Sequence, residues 1–383
     1  MEAETGIAET SAGEGAPDSE GRRDLLDLSR TDLDAWVEAQ GERPFRARQI
    51  WSWAYHHLVS DFASMTNLPA GVRQALVSEF TLGSTQVEAT STDTDGNRKQ
   101  VLRLSDGETV EAVVMEEPYG STVCVSSQVG CALGCAMCAT GRAGFVRDLT
   151  TGEIVHQVVD AARTLAPRGR RVTNVVFMGM GEPLLNYEAV LQAIANLTEP
   201  AGLAINPQHI TVSTIGLPER IVALAGEPYA VRLAVSLHGA DDETRAVLVP
   251  YARQVSLERL LAACRTYARV RGTRITFEYV MAAGVNDSPD HARRLVSLIG
   301  GIPSHVNLIP LNPVTGCDLS SSSLAVMERF REPLTKARIP VTIRFSRGVD
   351  IGAGCGQLRG ARSGPPPERG GASRRYPRRG RES

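Results

Sequence analysis

The chain has 383 residues, 42% hydrophobic and 22% charged, with a formal net charge of −2. That length allows one large core with a smaller accessory unit, and the composition is that of an ordinary globular protein rather than a fibrous or fully disordered one. No apolar run approaches the length of a membrane span, and the acidic opening MEAETGIAETSAGEGAPDSE lacks the apolar centre of a secretory signal.

In chain order, residues 1–24 carry seven acids against Arg22 and Arg23 and read as a disordered acidic tail. Thr31 stands as a helix cap ahead of Leu33, Trp36 and Val37 at helical spacing. Phe45–Leu58 carries the apolar stripe Ile50, Trp51, Ala54 and Leu58, and Ala70–Phe80 gives a third helical segment. Together they predict a helical accessory domain over 25–85, with Arg46, Arg48 and His56 available to nucleic acid or simply to solvent. Val87–Thr92, Lys99–Leu104, Val110–Met115 and Ser121–Ser126 read as strands, the first two separated by the turn Asp95-Gly96, and predict a β-rich bridge over 86–120. Glu111 sits within the apolar run VEAVVM, where a carboxylate is either a satisfied edge group or an acid–base group.

The bridge leads into GCALGCAMCATG, residues 130–141, which crowds Cys131, Cys135 and Cys138 onto one tight loop. Thiolates select soft metals such as iron–sulfur, zinc or copper. Three thiolates suit a cubane whose fourth iron has no protein ligand. Structural zinc takes four ligands, for which Cys124 is the available fourth, and plain burial of small thiols is the third reading. Seven cysteines, three of them crowded, fit a reducing cytoplasm better than a disulfide scaffold.

From Thr150 onward helix and strand patterns alternate. Thr150 and Glu153 are spaced as a capping box for Thr150–Arg163, and strands are read at Val172–Met178, His209–Ser213, Val231–Ser236, Ile275–Val280 and His305–Pro310. With the strand before the cysteine loop these make six parallel candidates, separated by helical lengths suited to right-handed crossovers. Val341–Phe345 adds a late edge strand. The pattern predicts an α/β fold, a partial (β/α)6 barrel over 121–355, although a doubly wound sheet shares it.

Polar groups beyond the carboxyl ends of barrel strands usually build the site. Here the second strand ends in GMGEP, residues 179–183, offering glycines for close backbone approach and Glu182 for an ammonium. The third ends in Ser213, the fourth in Ser236, Leu237 and His238, and the sixth leads to Asn312. This mixture suits a ligand bearing a ribose and an amino acid better than a phosphate-rich one, and no GxGxxG or GKS/T sequence competes. Singly, His238 reads as readily as a structural histidine. Cys355, between Gly354 and Gly356, reads as an exposed nucleophile, as the partner of Cys124 in a transient disulfide bond, or as a buried thiol. Residues 356–383 carry eight arginines against Glu368 and Glu382, a disordered tail able to sample RNA phosphates or merely to solvate the end.

The strings CVSSQVGCALGCAMCATG, FMGMGEPLLNY, AVSLHGADDETR, AGVNDSPDHA, HVNLIPLNP and DIGAGCGQL resemble the RlmN/Cfr family of radical S-adenosylmethionine RNA adenosine methyltransferases, over roughly residues 30–360. PFRARQIWSW, MTNLP and MGMGEP look more like RlmN, whose members methylate adenosine C2, whereas VSTIG and TIRFSRGVD lean toward Cfr, which methylates C8. The resemblance implies that Cys131, Cys135 and Cys138 hold a 4Fe–4S cluster and that Gly181, Glu182, Ser213, Ser236, Leu237, His238 and Asn312 contact S-adenosyl-L-methionine. It also implies that Cys355 takes a methyl group from one S-adenosylmethionine, and that a 5′-deoxyadenosyl radical from a second activates that methyl for addition to adenine. Glu111 then acts as base, and Cys124 attacks Cys355 to release product as a disulfide. The implied substrates are adenosine 2503 of 23S rRNA and adenosine 37 of tRNA. The implied partners include a flavodoxin-like or other low-potential electron donor, with no membrane, for a cytoplasmic monomer. A noncatalytic iron–sulfur RNA-binding protein is the reading of a different class. It would need the cluster but neither Cys355 nor Glu111.

Overall fold

A computed structural model describes residues 21–83 and 85–360. The expectations placed on residues 1–20 and 361–383, most of the two charged tails, lie outside the described residues.

The first unit begins with β1 (Arg23–Asp24) and α1 (Arg30–Ala39). The cap of α1 is Ser29, not Thr31: Ser29 Oγ accepts the Asp32 N–H at 3.0 Å and the Asp32 carboxylate accepts the Ser29 N–H at 3.0 Å. Asp34, the partner a Thr31 cap would need, is paired with Arg30 at 3.1 Å. Helix α2 (Phe45–Trp51) passes into a π turn over Ser52–His56, and α3 (Ala70–Glu79) leads to β2 (Phe80–Thr81), which pairs with β1. The helices bury Leu33, Val37, Ile50, Trp51 and Leu76 against one another, with Trp51 and Tyr55 stacked at 4.4 Å.

Next, β3 (Gln86–Thr92), β4 (Arg98–Arg103), β5 (Thr109–Glu117) and β6 (Gly120–Cys124) form an antiparallel meander. The cysteine loop is framed by β7 (Gln128–Gly130), α4 (Ala139–Ala143) and β8 (Phe145–Asp148). Helix α5 (Thr151–Leu165) starts with the expected Thr150–Glu153 capping box. Then follow β9 (Val172–Phe177), α6 (Tyr187–Thr198), β10 (Ile210–Thr214), α7 (Pro218–Gly226), β11 (Arg232–Ser236), α8 (Asp242–Leu248), α9 (Leu257–Arg271) and β12 (Ile275–Met281). The alternation ends with α10 (Pro289–Ile299), β13 (Ser304–Pro310), α11 (Leu324–Lys336) and β14 (Val341–Ile343).

One ten-stranded sheet results, in the order β14-β13-β12-β11-β10-β9-β6-β5-β4-β3. Strands β6 and β9 to β14 are parallel, the arrangement of a partial barrel with β14 at the edge, and β3 to β5 extend the same sheet antiparallel. The bridge is thus continuous with the barrel sheet. Parallel strands are covered on both faces, which is why Val175, Val212, Leu233, Val235, Phe277, Val306 and Leu308 have no exposed surface. Toward the carboxyl ends, where the site forms, the strands and their loops bring in Ser213, Ser236, His238 and Asn312. The short helix α8 has no counterpart in the sequence reading, because GADDETR lacks an apolar stripe. Its cap is the Asp241 carboxylate, which accepts the Thr244 N–H at 2.7 Å. Among the described residues no helix is long and apolar enough to cross a membrane.

Candidate active site

The carboxyl ends of β9 to β13 and the cysteine loop line one cavity that opens to solvent. Cys131, Cys135 and Cys138 line it, as do Gly181, Glu182, Ser213, Ser236, His238, Asn312 and Cys355. Ten of the expected site residues therefore share one space. Leu237, Glu111 and Cys124 do not line it. Leu237 is fully buried. Its N–H donates to the Glu278 carbonyl at 2.9 Å and its carbonyl accepts Arg245 Nε at 3.0 Å, so it fixes the strand end.

The glycines of GMGEP have a close neighbour within the chain. A Cβ on Gly179 would stand 2.6 Å from the Val125 carbonyl oxygen, and one on Gly181, whose φ is +98°, would stand 2.6 Å from the Gln128 side chain. Their absence of side chain lets the loop after β9 pack on the segment entering the cysteine loop. That packing aims Glu182 into the cavity, with its N–H donating to Gln128 Oε1 at 2.8 Å. The Glu182 carboxylate accepts the N–H groups of Ile215 at 2.8 Å and Leu184 at 3.1 Å. Burial nevertheless pushes it up to about 7, so a cation beside it would favour the ionised form.

His238 occupies the left-handed region with φ +57°, held there by Asn286, whose amide donates to the His238 carbonyl at 2.9 Å. Its Nδ1 accepts the Val280 N–H at 3.1 Å. Burial, then the nearby Arg245 charge, pushes the imidazole down to about 3, so it is neutral at ordinary pH. Arg245 itself carried no sequence signal. It is fully buried, and its guanidinium also donates to the Ile215 carbonyl, tying the third and fourth strand ends together.

The donor set fits an iron–sulfur cluster. Cys131, Cys135 and Cys138 line one wall of the cavity, and three soft thiols of this kind suit iron–sulfur ligation. Burial pushes Cys131 up to about 12 and Cys135 upward as well, so a thiophilic metal must displace their protons. The loop is anchored by the Ala136 N–H on the Leu248 carbonyl at 2.9 Å and by the Ala139 N–H on the Gly356 carbonyl at 2.7 Å. The second contact joins the cysteine loop to the segment that carries Cys355.

A second cavity adjoins the first and is lined by Cys124, Met178, Arg344 and Leu358. Cys355 lines both. Both thiols are free. Cys124 is buried, which pushes it up to about 12, whereas Cys355 is exposed. Asn312 Nδ2 donates to the Cys355 carbonyl at 2.9 Å and to Ser346 Oγ at 2.8 Å, holding the loop over the sheet end. Glu111 lines neither cavity. Its Oε1 pairs with Lys99 at 3.1 Å and its Oε2 accepts the Arg359 N–H at 2.8 Å.

The comparisons with known proteins agree with this geometry. Residues 23–82 match the ribosomal RNA large subunit methyltransferase N-terminal domain, and residues 125–296 match the radical SAM superfamily. The dual-specificity RNA methyltransferase RlmN of Magnetococcus marinus is 46% identical over 351 residues, covering 91% of this chain and 98% of that protein. The one from Halorhodospira halophila is 46% identical over 88% of this chain and 93% of its own length. A radical SAM methyltransferase from Sphaerobacter thermophilus, solved by crystallography, superimposes with a TM-score of 0.85 at 46% identity, covering 88% of this chain and 99% of that one. Likeness of this extent, reaching both the helical unit and the barrel, means that the chain belongs to the RlmN family of radical S-adenosylmethionine RNA methyltransferases.

Proposed function

We propose that this enzyme makes 2-methyladenosine in 23S rRNA, at adenosine 2503, and in tRNA, at adenosine 37, using Cys355 as a carrier of the methyl group. The observation that supports this reading most is that Cys355 faces two cavities at once, one lined by the cluster thiols and the other by Cys124. A carrier must meet its donor on one side and its acceptor on the other, and this loop position satisfies that demand without a large domain motion.

Cys131, Cys135 and Cys138 would hold a 4Fe–4S cluster, which when bound would supply the electron for reductive cleavage of S-adenosylmethionine. Glu182 would receive the cofactor's ammonium, Ser213, Ser236 and the Oδ1 of Asn312 would offer hydrogen bonds to its polar groups, and neutral His238 would present an uncharged imidazole. Gly181 and Leu237 keep the loops close enough for these contacts. Cys124, with its thiol pushed up to about 12, stays protonated at neutral pH and does not compete with Cys355 for the methyl group. Glu111 removes the ring proton once it is released from the backbone it now holds. The target base must leave its stack to reach the second cavity, at a cost of a few kcal/mol. Cellular turnover requires a low-potential electron donor of flavodoxin type, and the enzyme works as a cytoplasmic monomer.

Anaerobic reaction of the cluster-loaded enzyme with 23S rRNA and with tRNA, followed by nucleoside mass spectrometry against authentic isomers, tests this assignment. The expected product is 2-methyladenosine in both. Exclusive 8-methyladenosine would overturn the C2 assignment, and no methylated adenosine in either RNA would overturn the substrate.

A further inference from the structure

We propose that Arg344, held by Glu278, is the counter-charge for the sulfur chemistry of Cys355 and Cys124, acting as a positioning residue that stabilises whichever sulfur is anionic. The proposal rests on the reading of Cys355 as carrier.

Arg344 follows β14, its backbone N–H donates to the Leu308 carbonyl at 2.8 Å, and it lines both cavities. Among the described residues, Met178 alone lines both cavities besides Cys355 and Arg344, and it carries no charge. The side chain is 37% accessible. Among the described residues its one carboxylate partner is Glu278 of β12, 3.7 Å away, a long distance for a guanidinium–carboxylate contact. Glu278 is in turn fixed by Asn307 Nδ2 of β13, which donates to its Oε1 at 3.0 Å, while its Oε2 is buried without a hydrogen bond.

The other charged groups around this chamber are accounted for. Glu117 of β5 is paired with Arg347 at 2.9 Å, and Lys99 of β4 is paired with Glu111 of β5 at 3.1 Å. Cys124 of β6 is the remaining titratable group lining the chamber. Among the described residues Arg344 is thus the cation at the junction whose fixed partner is long and incompletely bonded. Burial works against its charge, yet Cys355, Glu278 and Cys124 in their anionic forms outweigh that and raise it.

Two steps create the need for such a cation. In the first, the Cys355 thiol gives its proton to solvent and the thiolate attacks the methyl carbon of the sulfonium. The new S–C bond forms as the sulfonium C–S bond breaks, and the electron pair leaves on the neutral thioether. In the second, the Cys124 thiol gives its proton to solvent and the resulting thiolate attacks Cys355 sulfur. An S–S bond forms, the Cys355 S–C bond breaks with its pair on the nucleobase methylene carbon, and that carbon takes a proton to complete the methyl group. An external dithiol then reduces the disulfide. Each step begins from a thiolate beside Arg344 and ends with that charge discharged, so one fixed cation serves both.

The test is the pH profile of iodoacetamide alkylation at unmethylated Cys355 in the cluster-loaded protein, read by mass spectrometry of the Cys355 peptide. It needs neither RNA nor radical chemistry, so its failure is distinguishable from failure of the methyltransferase assignment. Arg344→Gln is expected to slow alkylation about tenfold near pH 7.5 and to move the whole profile to higher pH, with the wild-type rate regained in alkali. Arg344→Lys should stay within about threefold of wild type. Glu278→Gln should move the profile the opposite way, because it removes the anion competing for Arg344, and this holds the proposal to account even if Arg344→Gln folds poorly. Profiles that coincide with wild type in Arg344→Gln and Glu278→Gln, or that shift in the same direction in both, would overturn it.

Discussion

The carboxylate of Glu111 accepts the backbone N–H of Arg359 at 2.8 Å and that of Gly360 at 3.4 Å, clamping the segment just after Cys355 to strand β5. Leu358 is buried beside this clamp, and its carbonyl accepts the Thr140 hydroxyl at 2.5 Å. A base engaged by two amides must exchange them for substrate. Glu111→Gln keeps an acceptor for both amides but cannot take a proton. It is expected to retain cluster content and methylation of Cys355 while RNA methylation falls by at least about a hundredfold, the lower end of the usual contribution of a general base. Intact-protein mass spectrometry and nucleoside analysis on the same sample check both halves, and near-normal RNA product would remove Glu111 from the base role.

On the proposed reading, Cys124, buried and lining the second cavity with Cys355, resolves rather than receives. Cys124→Ala should therefore acquire the methyl group on Cys355 at close to the wild-type rate, yet fail to discharge product. A covalent protein–RNA species, seen as a nuclease-sensitive band of reduced mobility, is the expected accumulation. Free methylated RNA at the wild-type rate would contradict the role.

Asn312 was expected at the cofactor, and it lines that cavity, but its amide is spent on the Cys355 carbonyl and on Ser346. Asn312→Ala removes two hydrogen bonds from the carrier loop, each worth about 0.5–1.5 kcal/mol. Faster amide exchange over residues 352–357 and roughly tenfold slower methylation of Cys355 are expected, with the helical unit unaffected. Hydrogen-exchange mass spectrometry reads the first effect directly.

The helical unit meets the barrel through Asp27, whose carboxylate accepts the Gly152 N–H at 2.5 Å at the start of α5. Burial, then repulsion from Asp24, raises Asp27 from 3.8 to about 6. Because the folded value lies above the unfolded one, the folded protein binds more protons in this interval. That stability is present below about pH 4 and is lost as pH rises through about 6. Asp27→Asn keeps the acceptor without the charge. It should raise the melting temperature at pH 8 by about 2–4 °C per kcal/mol of relieved cost and leave it unchanged near pH 4. A lower melting temperature at pH 8 would show that the ionised carboxylate stabilises the joint.

The parts legible in the sequence were those with a local signature. The six barrel strands, the Thr150 box and the cysteine loop each announce themselves through hydrophobic runs, a fixed spacing or a crowded residue type. Ten site residues could be gathered because barrel topology brings every strand's carboxyl end to one face, so position along the chain already predicts position in space. Arg245 and Arg344 were not legible. Nothing local distinguishes an arginine destined for a fully buried hub, or for the junction of two cavities, from the many others that solvate the surface. The Ser29 cap was misplaced by two residues for a related reason: Ser29 and Thr31 both have an aspartate three residues on, and only the Arg30–Asp34 pair decides between them.

The most direct test of the carrier account is a methyl pulse-chase. Cluster-loaded enzyme bearing a labelled methyl group on Cys355 is mixed anaerobically with RNA, reductant and unlabelled S-adenosylmethionine, and the first turnover is sampled. The account predicts that the first equivalent of RNA product carries the labelled carbon and that Cys355 then regains an unlabelled methyl. Unlabelled carbon in that first product, with the label still on Cys355, would contradict it.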